Sequence, residues 1–406
     1  MACSSRSSSD ARPTNAAVVP NHSMDVQSSA TWIQMLWSRQ QEWDARMRMI
    51  ARARSFLYLS TFYIEWGDRA KECLNALVNA QQRGVSTVLL IDRFGQRLGG
   101  TQMSRAQRKS LQVRLQQLRD AGGKVVLFRP NHWIDRLLGG GQHIKIQISE
   151  HGEAIFGSSN LSDQSFTGWN EFSVAVRGPI SDVLLKNLQG LGGDQAGFDL
   201  CQPEIPSSDV GPIALRYVAF SPTQEEKPSR LWRGSANSIS ALLCSEIDRA
   251  TSRIEISSFY FKPIVSVRDA LKRASKRGVR IRVFHSDRNT LSSSVPWLAA
   301  ATDYRSLLDD GVELYETEQG EHSKIVLIDD RWAAFGSYNL EDAADDRLSE
   351  AMMVTEDAAL IEYFRGLFHQ LEGSRNSHLL PTDTPDRWCL KTKWSARLIR
   401  PFKRWF

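Results

Sequence analysis

One pattern of reactive residues occurs twice in this 406-residue chain, with the same internal spacing in both copies. The segment H-I-K-I-Q-I-S-E begins at His143, and the segment H-S-K-I-V-L-I-D begins at His322. In each copy an asparagine follows the histidine by 17 residues, and a glutamate follows that asparagine by 11. These residues are Asn160 and Glu171 in the first copy and Asn339 and Glu350 in the second. Stability alone does not demand a repeated spacing of this kind, so we expect two halves that build one active site.

Length and charge restrict the classes of protein that the chain can belong to. A chain of this length can bury a large core, and the duplication favours two domains. The formal net charge of +5 comes from 51 basic and 46 acidic residues. Residues 387–406 contain seven Lys or Arg and no acid, so the remainder is mildly acidic. This balance makes nucleic acid an improbable partner.

The cysteines and the hydropathy of the chain indicate where in the cell the protein is located. The five cysteines form no C-x-x-C pair, which argues against a disulfide framework and against a zinc site. No apolar run approaches the ~18 residues of a membrane-spanning helix, and the N-terminus shows no secretory signal pattern. We therefore expect a cytoplasmic protein that meets the inner face of a bacterial plasma membrane peripherally.

The chain is predicted to have five parts. Ser-, Asn- and Pro-rich sequence predicts a disordered leader, proline-rich polar sequence predicts a linker, and the pattern of Thr31–Arg54 is helical. The predicted parts are a leader at 1–28, an N-terminal lobe at 29–200, a linker at 201–230, a C-terminal lobe at 231–375 and a basic aromatic tail at 376–406.

Each half shows the same order of strands and helices. The alternating segment L-Y-L-S-T-F-Y precedes a helical pattern over 71–82, Gly84 and the strand V-S-T-V-L-L-I-D. The second half has I-E-I-S-S-F-Y, a helical pattern over 267–276, Gly278 and V-R-I-R-V-F-H. This alternation predicts an α/β fold of two pseudo-twofold-related lobes, each a mixed β-sheet flanked by helices. The active site is expected at the lobe interface.

The repeated residues suit a phosphodiester. On a strand, residues two apart point to the same side, so the H-x-K spacing sets each histidine beside a fixed cation. Lysine, asparagine and serine side chains would bind phosphate oxygens as charge builds in the transition state. The residues predicted to bind phosphate are Lys145, Ser158, Asn160, Lys324, Ser337 and Asn339. The set predicted to be catalytic is His143, Lys145, Asn160, Glu171, His322, Lys324, Asn339 and Glu350.

The two histidines are expected to divide the chemistry. One imidazole would attack phosphorus while the other protonates the leaving oxygen, and a glutamate would hold each Nδ1–H. Neither a metal nor another cofactor is expected, because lysines and asparagines supply the charge stabilisation. Glu150 and Asp329 lie at strand ends, where carboxylates commonly cap turns, so a structural role is predicted for them. A single H-x-K is usually a surface pair, but two equally spaced copies favour catalysis.

These residues resemble the H-x-K-x(4)-D and G-S-x-N signatures of the phospholipase D superfamily over most of residues 45–370. The first copy departs from the signature by carrying Glu150 in place of Asp. Within the superfamily, F-Y before a helix and R-G-V before a strand are most similar to bacterial cardiolipin synthases and related phosphatidyltransferases. The resemblance implies two phospholipase D-like lobes and a phosphatidyl-histidine on His143, with His322 as acid and then base. It also implies that each glutamate can orient the histidine of the opposite lobe.

Apolar residues in two segments that read as loops are candidates for an acyl-chain entrance, with ordinary core packing as the alternative. These residues are Trp133, Ile134, Leu137, Leu138, Trp297 and Leu298. In the tail, Leu390, Trp394, Leu398 and Phe402 recur every four residues among basic residues. A short helix broken near Pro401 could place Trp394, Arg397, Arg400, Lys403 and Trp405 against anionic lipid. The alternative is a helix packed on the protein.

The sequence therefore predicts a phosphatidyltransferase of cardiolipin synthase type. It would move a phosphatidyl group from a glycerophospholipid to an alcohol acceptor such as phosphatidylglycerol. A hydrolytic phospholipase D, a nuclease of the same superfamily and a non-catalytic membrane-binding module remain alternatives. The expected partners are phospholipid substrates and an anionic membrane surface. The oligomeric state is open, although the duplication makes a monomer sufficient for one complete site.

Overall fold

The computed structural model describes residues 23–130, 133–196, 212–222, 237–290 and 294–405. The elements of the first half are β1 (Ser23–Ala30), β2 (Trp32–Leu36), α1 (Arg39–Arg52), β3 (Phe56–Thr61), α2 (Asp68–Gln82), β4 (Ser86–Asp92), α3 (Arg93–Gln102), α4 (Arg105–Asp120), β5 (Lys124–Phe128), α5 (Trp133–Leu137), β6 (Gly141–Gln142), β7 (Lys145–Ser149), β8 (Glu153–Gly157), α6 (Asp163–Thr167), β9 (Ser173–Arg177) and α7 (Pro179–Ala196).

The second half continues with β10 (Ile213–Phe220), α8 (Ser238–Arg249), β11 (Arg253–Ser257), α9 (Val265–Lys276), β12 (Arg280–Ser286), α10 (Ser294–Ala301), α11 (Tyr304–Asp309), β13 (Val312–Thr317), β14 (Ile325–Ile328), β15 (Trp332–Gly336), α12 (Asp342–Asp346), β16 (Leu348–Thr355), α13 (Ala358–Glu372), β17 (Ser377–Leu379), α14 (Thr384–Arg387) and α15 (Leu390–Ile399). A 3₁₀ helix over Arg400–Trp405 follows.

Two mixed β-sheets repeat one topology. The first has the strand order β2-β9-β8-β7-β3-β4-β5, and the second has β1-β10-β16-β15-β14-β11-β12-β13-β17. In both sheets the first three strands of the repeat run in parallel, and the hairpin that follows them pairs antiparallel to the first strand. The predicted α/β fold of two related lobes is therefore confirmed.

Local sequence explains the strand–helix–strand unit that the two lobes share. Helices α2 and α9 end where Gly84 and Gly278 adopt φ angles of +92° and +87°, a region that side chains rarely enter. The helices predicted over 71–82 and 267–276 begin three and two residues earlier, respectively, than expected. Alternation divides β3 between two cores: Phe56 and Tyr58 face one core, while Leu57 and Leu59 face another.

The core that Phe56 and Tyr58 enter joins the two lobes. It lies between the sheets and includes α7 and α13. Phe172 of the first lobe packs edge-on against Phe335 and Phe364 of the second, with ring centroids 5.3 and 5.2 Å apart. An apolar interface of this kind fixes the relative position of the lobes, and therefore of the residues at their shared edge.

Several predicted boundaries are wrong. Residues 23–28 of the predicted leader belong to β1, and residues 1–22 lie outside the described part. The predicted linker contains β10, which pairs with both β1 and β16. The segment predicted as one helix over Thr31–Arg54 is strand β2 followed by α1, because residues 32–36 pair with β9 and Ser38 caps α1. The predicted tail begins with β17, an edge strand paired with β13.

Among the described residues, no helix has both the length and the apolar character needed to cross a bilayer.

Candidate active site

The two H-x-K segments meet at the lobe interface. His143 lies two residues before β7 and His322 lies three residues before β14, so neither histidine is on the strand that the H-x-K spacing predicted. Each histidine is only 4% exposed. The backbone N–H of His143 donates to the carbonyl of Ser349 at 2.8 Å, and that of His322 donates to the carbonyl of Asn170 at 2.8 Å. Each histidine is thus tied to the opposite lobe by the residue that precedes a glutamate. The backbone itself brings the two motif copies into one site.

Each histidine also contacts a carboxylate from the opposite lobe. Nδ1 of His143 lies 2.9 Å from Oε1 of Glu350, and Nδ1 of His322 lies 2.7 Å from Oε2 of Glu171. Both glutamates are fully buried. The Nδ1 contacts leave Nε2 as the ring nitrogen without a partner among the described residues. A carboxylate at Nδ1 fixes the tautomer that presents Nε2 to a substrate.

Two buried lysines lie beside the histidines. Nζ of Lys145 donates to the carbonyl of His143 at 2.6 Å, and Nζ of Lys324 donates to the carbonyl of His322 at 2.5 Å. Burial lowers the pKa of Lys145 to about 7 and that of Lys324 to about 8, although the buried glutamates act in the opposite direction. A bound anion would favour the charged form of both, because it supplies the counter-charge that burial removes.

The asparagines have polar atoms available for a ligand. Asn160 and Asn339 are buried, and the side-chain carbonyl oxygen of each has no hydrogen-bond partner among the described residues. The side-chain amide of Asn339 makes one long contact, 3.3 Å, with Glu341. A carbonyl oxygen only accepts hydrogen bonds, so these two atoms suit a protonated group such as a substrate hydroxyl, whereas the amide N–H groups of the same side chains are the donors for a phosphate oxygen.

The serines have a different role from the one predicted. Ser158 Oγ donates to Glu171, and Ser337 Oγ donates to Glu350, at 2.5 Å in each case. A hydroxyl has one proton, so neither serine can also donate to a phosphate while it holds its glutamate. The prediction that Ser158 and Ser337 bind phosphate is therefore wrong for this arrangement. They position the carboxylates that contact the histidines.

The electrostatics keep the imidazoles neutral in the absence of a bound anion. Burial, together with the nearby lysine charges, lowers the pKa of His143 well below its usual value. Burial and Lys324 lower the pKa of His322 to about 4, against the effect of Glu171. Burial acts to raise the pKa of Glu171, but the charges and hydrogen bonds of His322 and its neighbours lower it to about 2. Burial raises the pKa of Glu350 to about 8.

Three aromatic residues at the site were missed by the sequence reasoning. Phe62 packs edge-on against His143 at 4.7 Å between centroids, and Phe259 packs in the same way against His322 at 4.6 Å. Trp169 stacks on His322 at 5.0 Å with an interplanar angle of 25°. The signal for the two phenylalanines was the repeated F-Y dipeptide after β3 and β11. Trp169 gave no such signal, because no tryptophan occupies the matching position near Glu350.

The motif acids Glu150 and Asp329 lie at the far ends of their strands from the histidines. The Glu150 carboxylate accepts the backbone N–H of Arg54 at 2.7 Å. The Asp329 carboxylate accepts the N–H groups of residues 251, 252 and 253. In both lobes the acid therefore fixes the chain just before the first strand of the repeat. These contacts support the structural role predicted for the two residues.

The predicted lipid-contact residues divide into exposed and buried groups. On α5, Trp133 is 65% and Leu137 is 75% exposed, whereas Ile134 and Leu138 are half-buried. Trp297 and Leu298 are instead buried in the core of the second lobe, on helix α10. The prediction that these two contact lipid is wrong, because Trp297 packs on Trp388 and donates its N–H to Glu316.

The tail helix has one buried side and one exposed side. Helix α15 buries Thr392 and Ala396 against the second lobe. Its other side carries Leu390, Trp394, Leu398 and, beyond the helix, Phe402, which are 60–75% exposed. The guanidinium of Arg397 lies over the Trp394 ring, and Arg400 is exposed.

One predicted lipid contact of the tail is wrong. Lys403 is not available for lipid, because its ammonium bonds both carboxylate oxygens of Asp303 at 2.7 Å. The side chain of Trp405 lies outside the described part.

The sequence of the chain is similar to those of known proteins. A family model described as "Cardiolipin synthase, PLD-like domain" matches residues 47–189 and 243–372. The chain is 25% identical over 349 residues to cardiolipin synthase B of Salmonella typhimurium, covering 82% of this chain and 78% of that protein. It is 24% identical over 384 residues to cardiolipin synthase A of Pseudomonas putida, covering 91% and 74%.

The fold also has a solved counterpart. The crystal structure of phosphatidylserine synthase from Haemophilus influenzae Rd KW20 matches with a TM-score of 0.69 over 95% of this chain and 96% of that chain. At 14% identity this similarity concerns the fold alone.

Proposed function

Since the chain belongs to the cardiolipin synthase, phospholipase D-like family of phosphatidyltransferases, we propose that it transfers a phosphatidyl group between two alcohols through a phosphohistidine. The donor is a glycerophospholipid, and the acceptor is the hydroxyl of phosphatidylglycerol or a similar alcohol. The observation that carries the proposal is the pair of crossed contacts, His143 with Glu350 and His322 with Glu171, beside two buried lysines.

In the first step, Nε2 of His143 attacks phosphorus. The bound donor phosphate is an anion and favours the protonated form of His322, which takes up a proton from solvent as the donor binds. The bond from phosphorus to the leaving alcohol oxygen breaks as the N–P bond forms, and the protonated His322 gives its Nε2 proton to that oxygen. Two features favour His322 as the acid. An ionised Glu171 and the stacked Trp169 ring both stabilise a positive imidazole.

In the second step, neutral His322 removes the proton from the acceptor hydroxyl. The acceptor oxygen attacks phosphorus, the N–P bond breaks, and His143 returns to its neutral form. The site then has the protonation state with which it began, and no external oxidant or reductant is required.

Charge on the phosphate oxygens is balanced by the chain itself. Lys145 and Lys324 supply the cations, and Asn160 and Asn339 supply amide groups whose hydrogen bonds strengthen in the transition state. Burial makes each interaction stronger than it would be in water. The site therefore needs no metal in this scheme.

We further propose that the protein attaches peripherally to the cytoplasmic face of an anionic membrane. The exposed side of α15 with Phe402 would enter the headgroup region, and the exposed Arg400 would contact lipid phosphate. Trp133 and Leu137 on α5 would contact lipid close to the segment that leads into His143.

One assay tests the proposed reaction. Purified protein is incubated with phosphatidylglycerol vesicles, with and without glycerol or ethanolamine, and the lipid products are identified by mass spectrometry. Cardiolipin, or a new headgroup-exchanged lipid, that depends on His143 is the expected result. Phosphatidic acid as the sole product at every acceptor concentration would indicate a hydrolase instead.

A further inference from the structure

Four arginines line one cavity in the first lobe. Arg93 and Arg129 directly follow β4 and β5, Arg97 lies one turn into α3, and Arg136 lies on α5. The cavity has a volume of about 200 Å³, and Phe94, Pro130 and Gly140 complete its wall. It is large enough for a phosphate group with part of its ester.

The cavity adjoins the segment that carries His143. Gly140 lines it and lies three residues before His143, which places their Cα atoms within about 11 Å. The N–H of Gln142 donates to Asp92, the residue that caps α3, at 2.9 Å. Gly139 packs so closely on the Phe94 ring that a Cβ would lie 2.8 Å from it. The cavity therefore lies against the segment that leads into His143.

The duplication provides an internal control for this charge. By strand register, Arg93 corresponds to Asp287 after β12, and Arg129 corresponds to Glu318 after β13. The two halves match in their histidines, lysines, asparagines and glutamates, yet they carry opposite charges at these two positions. A purely structural role at the strand ends would not require a reversal of sign. This reversal of charge makes the first-lobe side of the nearly symmetric site positive and the second-lobe side negative.

Three of the four arginines lack an acidic partner among the described residues. In the part of the chain that the structure describes, Arg93, Arg97 and Arg129 have no carboxylate within ion-pair distance, and all three are exposed. Arg136 donates its Nε–H to the carbonyl of Pro130 at 2.7 Å, which fixes its position at the cavity. Clustered guanidinium groups repel one another, and a phosphate can accept paired hydrogen bonds from several of them.

We propose that this cavity binds the non-reacting phosphate of an anionic phospholipid whose hydroxyl is the acceptor. This inference rests on the proposed function and specifies its acceptor class. The acceptor phosphate would be held in the first lobe, and the headgroup hydroxyl would extend to the face of phosphorus opposite the N–P bond of His143, where His322 removes its proton. The acids of the second lobe would repel an anion in the reverse orientation.

Binding tests the cavity without turnover. In the His143→Ala background, titration calorimetry would compare short-chain dihexanoyl phosphatidylglycerol with dihexanoyl phosphatidylcholine. Arg93→Gln with Arg129→Gln should weaken phosphatidylglycerol binding at least about tenfold relative to phosphatidylcholine, because charge-assisted hydrogen bonds are lost. Arg119→Gln, an exposed arginine of the same lobe on α4, is the matched control. If the double arginine variant binds phosphatidylglycerol as tightly as the Arg119→Gln control does, the proposal is overturned.

Two further probes identify the source of the phosphate. Inorganic phosphate that binds as tightly as the lipid and competes with it, or a single-stranded oligonucleotide that does so, would overturn the lipid assignment.

A turnover assay provides an independent test of the cavity. In the protein with both histidines, the ratio of transfer to phosphatidylglycerol over transfer to ethanol should fall by about tenfold in the double arginine variant. If the unmodified protein transfers to no alcohol while arginine-dependent lipid binding persists, the proposed function fails and the anion site stands.

Discussion

Nδ1 of His322 lies 2.7 Å from the carboxylate of Glu171, and the two residues belong to opposite lobes. The same crossing joins His143 to Glu350. Neither lobe alone contains a complete histidine–carboxylate pair, so docking of the lobes is a condition for the chemistry. The apolar core around Phe172 and Phe335 therefore contributes to the site as well as to stability.

The crossed carboxylates should act by positioning the histidines. Glu171→Gln and Glu350→Gln are each expected to lower kcat by about 10²-fold with a smaller change in KM, because the tautomer and orientation of the facing imidazole are lost. The pH profile of kcat should also shift in each variant. A raised KM at unchanged kcat and pH profile would show instead that the glutamates serve substrate binding.

The assignment of the two histidines can be tested with a donor that needs no acid. A p-nitrophenyl phosphodiester has a good leaving group, so His322→Ala should still form the N–P bond and then accumulate the adduct, because no base activates the acceptor. Peptide mass spectrometry should locate that adduct on His143. The His143→Ala protein should yield none. An adduct on His322 in the His143→Ala protein would reverse the two roles.

Burial of Lys145 should lower the free energy of unfolding by an amount that depends on pH. The folded-state pKa of Lys145 is about 7, below its ordinary value, so between pH 7 and 10.5 the unfolded chain binds a proton that the folded chain does not. The free energy of unfolding therefore rises with pH across this window, and the cost of burying Lys145 is greatest below it.

Removing that lysine should reverse the effect. Lys145→Met should abolish turnover yet gain stability over the unmodified protein, with a gain at least about 1 kcal/mol larger at pH 6.5 than at pH 9.5. Urea unfolding measures this difference, and Lys276→Met, at an exposed site on α9, is the control. A gain that does not change with pH would contradict the argument.

Chelation should leave the chemical step unchanged. Lys and Asn side chains stabilise the phosphate charge in the proposed scheme, and the described residues contain no group of three or more His, Cys, Asp or Glu that could hold a metal ion. Excess EDTA is therefore expected to have no effect on turnover of a soluble short-chain donor. Loss of activity that one divalent ion specifically restores would contradict the scheme.

The repeated motifs predicted the parts of the protein that repeat. The family resemblance and the two-lobed α/β fold are confirmed, because period-two alternation and the equal spacing of His143 and His322 to their partners are visible in sequence. The family resemblance also implied that glutamates could cross between lobes, and the structure contains that crossing.

Features that depend on tertiary pairing could not be predicted from the sequence. The prolines around strand β10 predict a linker, whereas in the structure pairing with β1 and β16 on both sides stabilises a strand. Ser158 is adjacent to the substrate-binding residues in sequence, but its proton goes to Glu171. Trp297 is an apolar residue in a segment that read as a loop, and only its contact with Trp388 reveals it as core. Each depends on partners distant in the chain.

The tail provides the last prediction. Deletion of residues 387–406 would also remove Ala396 and Lys403 from their contacts with the second lobe, so substitutions on the exposed side are a cleaner test. Trp394→Ser, Leu398→Ser and Phe402→Ser together should weaken sedimentation with phosphatidylglycerol vesicles by about tenfold or more, because the apolar area that enters the headgroup region is lost.

Turnover of a soluble short-chain donor should persist in this triple variant, because the three substituted side chains are exposed and lie on the side of the tail that faces away from the second lobe. Val113→Ser with Val265→Ser removes exposed apolar side chains elsewhere and is the control. High salt should weaken binding of the unmodified protein, because basic residues such as Arg400 contribute electrostatically. If the triple variant and the control sediment equally with anionic vesicles, the exposed side of α15 is not the membrane contact.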